Sequence, residues 1–155
     1  MSKVGIAKVK PVINKKVRGL CKKAYYNHPN GCPNFNKKKT CPPKAKFIED
    51  IIDLSKSVFC VFNRFNLEEH VERLREKHPQ WTYRQLSCCL YWQGRARKQL
   101  REGVNKFMKG KRMIVLYTPE ACGVDITATM KLIGIELEWP PKRFTYQVAL
   151  VGIKR

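Results

Sequence analysis

The sequence predicts an α/β or α+β fold in a single domain, residues 1–155, with helices packed on a small mixed sheet. Two stretches, VFCVFNRF at 58–65 and RMIVLY at 112–117, are rich in β-branched and aromatic residues and read as buried strands. Between and around them, apolar residues recur at helical spacing. A chain of 155 residues that is 43% hydrophobic can fill one core, and is too short for two comfortable ones.

Residues 1–20 are expected to form a basic arm or an edge strand, since positions 3–13 alternate weakly between apolar and basic. A cysteine-rich loop follows at 21–43, closed by Cys41-Pro42-Pro43, where proline holds the preceding residue extended. Over 44–57, Phe47, Ile48, Ile51, Ile52 and Leu54 share a stripe, which predicts an amphipathic helix. Cys60 in the next strand reads as a core residue. Asn66 is placed to cap a helix, LEEHVERLREKH, with Glu68 and Glu69 in its first turn and His70 and His78 on its surface. Thr82 and Gln85 form a capping box with Trp81 as a hydrophobic staple, and open a long helix to about Met108. After the 112–117 strand, Pro119 starts a helix through about Leu132 that Gly134 ends. Strands at 135–139 and 144–153, joined by a Pro-Pro connection, complete the expected sheet.

The net charge of +20 is unevenly placed. Residues 1–46 hold thirteen Lys or Arg and no acid; residues 84–112 hold nine against the single Glu102. Two concentrated basic regions on a folded domain are the footprint of a polyanion. A membrane surface would require a basic helix with a broad apolar face left for lipid, and none is evident. No apolar run approaches the ~20 residues that cross a bilayer. The basic N-terminus lacks the apolar stretch of a signal peptide, so a cytoplasmic protein is expected. Seven cysteines, an odd number, then argue against a disulfide framework.

Cys21 to Pro43 packs three cysteines, one histidine, five lysines and four prolines into 23 residues. So few aliphatic side chains cannot build a core, and a metal is the expected staple, because thiolate–metal bonds become folding free energy. Cys21, Cys32 and Cys41 are the natural ligands. A fourth is Cys122, where a helix N-terminus favours thiolate, or alternatively His28. Cys88 is a weaker choice. Three thiolates with an imidazole suit zinc; four thiolates suit zinc or a [4Fe–4S] cluster. The competing reading is a loop of reduced cysteines buried as small hydrophobes.

These features point to a nucleic-acid-binding protein with a structural metal site, RNA ahead of DNA, suited also to a place inside a larger ribonucleoprotein. Phosphate contacts are expected from Lys22, Lys23, Lys37, Lys38 and Lys39 in the loop, and from Arg95, Arg97, Lys98, Arg101, Lys109, Lys111 and Arg112 along the long helix and just beyond it. Tyr25, Tyr26, Phe35, Tyr91 and Trp92 are the candidate stacking aromatics, and Trp92 reads equally as a core aromatic. Two alternatives stand beside this reading: a metal-dependent or iron–sulfur enzyme modifying nucleic acid, and a redox or metal-carrier protein with an acidic protein partner. No catalytic triad, phosphate-cradling glycine loop or paired-carboxylate site is present; Glu120 and Asp125 are the acids nearest Cys122.

Cys32-Pro33-Asn34-Phe35 through Cys41-Pro42-Pro43, together with Pro119-Glu120-Ala121-Cys122-Gly123-Val124-Asp125 and Gly134-Ile135-Glu136-Leu137-Glu138-Trp139, resembles a family of prokaryotic cysteine-rich proteins known as predicted metal-binding proteins of unknown function. The resemblance brackets most of the chain and implies a shared fold. Members of that family carry a second, closely spaced cysteine cluster before the C-terminal helix. Residues 109–118 here contain no cysteine. The resemblance therefore implies a shortened, basic member that keeps the first cysteine site and lacks the second, which removes support for an electron-transfer role.

Overall fold

A computed structural model of the chain describes residues 2–24 and 28–155. Four strands, β1 (Ser2–Val9), β2 (Val58–Asn66), β3 (Ile114–Leu116) and β4 (Phe144–Gly152), form one sheet in the order β1-β2-β4-β3. Every pairing is antiparallel, where the alternation of helices and strands suggested a mixed sheet. The α and β elements nonetheless share one sheet-centred fold, as expected.

Alternation along β2 divides the two faces of the sheet. Phe59, Val61, Asn63 and Phe65 point to α3 (Gln93–Met108): Phe59 meets Phe107 at 5.2 Å, Val61 packs with Leu100 and Val104, and the Asn63 amide donates to the Ala96 carbonyl at 2.9 Å. Val58 and Cys60 point the other way, onto Ile48, Ile52, Cys122, Val124, Ile126 and Met130. Register carries the division across to β4, where Val61 faces Ala149 and Cys60 faces Leu150. Gly103 lets α3 approach β1 closely, because a Cβ there would lie 2.6 Å from a Val4 methyl. This packing explains a glycine in the middle of a helix, where it is otherwise unfavourable.

α1 (Leu67–Lys77) begins at Asn66, whose side chain accepts from the Glu69 amide, as predicted. His70 is a correction: it is 5% exposed, packed against Phe65, and burial pushes its pKa down. The Thr82–Gln85 capping box forms, but the helix it opens, α2 (Tyr83–Leu86), stops at once. A 3-10 turn over Cys89–Tyr91 intervenes before α3, so the single helix to Met108 is three pieces. Trp92 explains the break: its ring stacks on Phe65 at 5.1 Å and its indole donates to the Ser87 carbonyl, which seats it in the core rather than on a binding surface.

Three other elements differ from expectation. Residues 44–57 hold only the 3-10 turn Ile48–Asp50, because Ile48 and Ile52 are both fully buried while Leu54 is 39% exposed. The 119–132 helix is split into a 3-10 turn, Pro119–Cys122, and α4 (Ile126–Lys131), capped by Asp125. Residues 135–139 run along the core without pairing to the sheet, and Ile135 and Leu137 are half-buried there.

Ile52 has no accessible surface. Truncation to alanine leaves a cavity that the sheet cannot collapse to fill, and Ile52→Ala is expected to lower unfolding free energy by about 2–5 kcal/mol in urea denaturation.

Candidate nucleic-acid interface and cysteine loop

The segment after β1 is bound to the body rather than free. The Val12 amide donates to Thr129 Oγ1, the Asp125 amide to the Val12 carbonyl, and the Asn14 amide to the Gly123 carbonyl. The 3-10 turn Lys15–Lys22 follows, capped by Asn14, with Lys15 paired to Glu49 at 2.7 Å. Arg18 on this turn holds the end of the cysteine loop. Its guanidinium donates to the carbonyls of Pro43 (2.9 Å) and Ala45 (2.7 Å), and lies over the Phe47 ring. No sequence signal marked Arg18 among so many cations.

The cysteine loop is folded by its backbone. Cys32 N–H donates to the Cys21 carbonyl at 2.7 Å, and the Asn36 amide to the Pro42 carbonyl at 2.7 Å. Gly31 makes the first contact possible: its φ is +82°, and a Cβ would meet the Cys21 carbonyl oxygen at 2.5 Å. Burial raises the Cys21 pKa, the nearby Cys32, Cys41 and Glu120 raise it further, and Arg18 opposes them. Cys32 and Cys41 are thus electrostatic neighbours of Cys21. Cys122 shares Arg18 and Glu120 as neighbours, but it ends a 3-10 turn instead of opening a helix, and burial raises its pKa. The thiolate favoured by a helix N-terminus is therefore corrected to a buried thiol. Cys88 is half-buried and Cys89 exposed, while Cys60 lies in the core as predicted. Among the described residues, no group of three or more His, Cys, Asp or Glu side chains is arranged to hold a metal ion.

All twelve predicted phosphate-binding cations are exposed, but they do not form one surface. Lys38 of the loop meets Arg97 and Arg101 of α3 across a cleft of about 480 Å³, also lined by Asn34, Thr40, Cys41, Tyr117, Thr118, Tyr146 and Gln147. Arg97 and Arg101 are four residues apart and so share a helix face. Thr118 donates to the Thr40 carbonyl and ties the loop to the end of β3. Lys39 lines a more apolar groove of about 490 Å³ beside it, with Lys44, Lys46, Val115 and Leu116. Arg95 faces elsewhere, into a cavity of about 130 Å³ with His70 and Arg73. Lys22 covers the Phe35 ring, and Lys111 folds back on Phe107. Lys23, Lys37, Lys98, Lys109 and Arg112 line none of these concavities. Tyr25 and Tyr26 fall outside the described residues. Tyr117 and Tyr146, which the sequence did not single out, stand in the cleft because β3 and β4 are neighbours.

Glu120 also lines the cleft. Its residue surface is open to solvent, yet protein crowds its carboxyl, and this desolvation raises its pKa against a hydrogen bond from its own backbone amide. No helix among the described residues is long and apolar enough to cross a membrane.

No family model, curated protein or solved structure matches this chain.

The Arg18 fork joins the cysteine loop to the body through a charged donor. Arg18→Ala is expected to lower stability by about 1.5–3 kcal/mol in urea denaturation, and Arg18→Lys to recover only part of that, since an ammonium lacks the planar fork.

Proposed function

We propose that the protein binds single-stranded nucleic acid, RNA in preference to DNA, along the cleft between the cysteine loop and α3. One observation carries the reading: the two basic regions of the sequence meet at this cleft, through Lys38 on one wall and Arg97 and Arg101 on the other. Cations on both walls of a concave surface focus a positive field on a strand lying between them. Tyr117 and Tyr146 in the same cleft supply faces on which unpaired bases stack, a contact that tolerates sequence and needs no groove-reading helix. RNA is the favoured strand because its recognition uses splayed, unpaired bases and polar contacts to the 2′-hydroxyl, and Thr40, Thr118 and Gln147 supply such groups here. A place within a ribonucleoprotein is compatible with the same surface.

Binding to a fluorescent single-stranded RNA is expected to weaken with salt, log K falling against log salt by about 0.7 for each phosphate neutralised. The double variant Arg97→Ala/Arg101→Ala is expected to reduce that slope by about 1.4, with the fold unchanged by circular dichroism. A slope equal to that of the wild type would place the phosphate contacts elsewhere.

A second reading, a metal held by Cys21, Cys32 and Cys41 with Cys122 or His28 as a further ligand, has one observation in its favour. The loop thiols are close enough for Cys32 and Cys41 to raise the Cys21 pKa, a repulsion that a cation reverses. Either zinc or an iron–sulfur cluster would require the loop to close further. On this reading, zinc added to the reduced protein binds with proton release and raises Tm, and Cys32→Ser or Cys41→Ser abolishes both effects. An unchanged Tm in calorimetry would leave the loop held by backbone and Arg18 alone.

A further inference from the structure

Beside the basic cleft lies a smaller pocket of about 90 Å³ with the opposite electrostatic character. Its walls come from α4, from the unpaired segment after it, and from β4: Ile126, Leu137, Trp139, Pro141 and Val148 give it an apolar lining, while Glu120 and Glu138 give it its acids. Glu120, Tyr146 and Val148 line both concavities, so the two share a wall.

Two features make this pocket more than a crevice. Trp139 is 73% exposed, an unusual position for an indole, and its Nε1 donates to Thr127 Oγ1 at 3.2 Å, which fixes the ring at the rim. The two acids are also unequal. Glu138 is saturated, accepting from the Lys142 and Arg143 amides at 2.9 and 2.8 Å and pairing with the Arg143 side chain at 3.1 Å. The Glu120 side chain stands on the wall shared by the pocket and the cleft. A carboxylate so placed can accept from a ligand that brings donors into the pocket.

The geometry points to a guanine-binding pocket: a base splayed from a strand in the cleft enters between Trp139 and Tyr146, and Glu120 accepts from its N1–H and N2–H. This rests on the reading of the cleft as a nucleic-acid site. Phosphates are repelled by Glu120 and attracted by Lys38, Arg97 and Arg101, so a nucleotide straddling the shared wall is oriented base inward. Guanine is selected over the other bases because its Watson–Crick edge places two donors side by side, matching the two oxygens of one carboxylate. Adenine and cytosine each put an acceptor beside their amino group, and uracil flanks its single N–H with two carbonyls.

The test uses fluorescence anisotropy with an all-uridine RNA decamer and the same decamer carrying one central guanosine, adenosine or cytidine. The wild type is expected to bind the guanosine strand about fivefold to a hundredfold more tightly than the uridine strand, as bidentate base contacts do, with no such gain from adenosine or cytidine. Glu120→Gln is expected to lose the guanosine gain while binding the uridine strand at least as tightly, since it removes a negative charge beside the cleft. Trp139→Ala, at an exposed position, is expected to shrink the same gain without altering the salt slope, and decides the question if Glu120→Gln does not fold. Equal binding of all four decamers with a salt slope would overturn the pocket and leave the cleft standing. Retention of the guanosine gain in both variants would also overturn the pocket. Failure to bind any decamer in a salt-dependent way would overturn the cleft itself, and the pocket with it.

Discussion

Everything in this molecule depends on β2 and β4 being buried on both faces. Cys60, Val61, Ala149, Leu150 and Val151, at the centre of the two strands, have no accessible surface, so none of them can be moved to solvent without opening one of two layers. On one side α3 supplies the cover through Leu100 and Val104. On the other, no long helix is available, and short pieces do the work: a turn at Ile48–Asp50, the Pro119–Cys122 turn and α4. Short pieces cannot support themselves, because helix nucleation is costly relative to so few hydrogen bonds. They are fixed by cross-links such as Val12 to Thr129, Lys15 to Glu49 and Arg155 to the Glu49 carbonyl. The surface cations that line the cleft are thereby placed on a rigid support rather than on tails.

The parts of the fold that were legible in the sequence are those whose local pattern and tertiary role agree. The run of β-branched and aromatic residues over 58–65 marks β2, and Asn66 and the Thr82–Gln85 pair mark true helix starts. Legibility fails where tertiary burial overrides a period. Ile48, Ile51 and Ile52 sit at helical spacing, but the buried pair is satisfied by one turn and the chain then leaves to pair Ile52 with Lys154. Trp92 reads in sequence as either a stacking or a core aromatic, and Phe65 claims its ring for the core. His70 looks like a surface residue on a charged helix, and the neighbouring layer covers it. The charge clusters were legible, but their meeting was not: only sheet order and the turn of the loop bring Lys38 to Arg97 and Arg101.

The cysteine loop illustrates two ways of stabilising a segment without a core. A metal replaces missing hydrophobic burial with ligand bonds. The loop also has backbone hydrogen bonds between Cys21 and Cys32 and between Asn36 and Pro42, with one guanidinium at the exit. Lys37, Lys38 and Lys39 of this loop remain exposed to solvent. Its position matters more than its chemistry, because the loop forms one wall of the cleft and Thr118 ties that wall to the sheet.

The sheet order also bears on how the chain is made. The central pairing joins β2, from the first half of the chain, to β4, near its end, so the middle of the sheet forms only after a large loop has closed. A growing polypeptide on the ribosome would carry β1 and β2 as a hairpin-like pair with one face and one edge unpartnered until the last strand emerges. The outer edge of β1 stays open in the finished sheet as well, and there the exposed Lys3 and Lys8 set charge against the addition of a further strand.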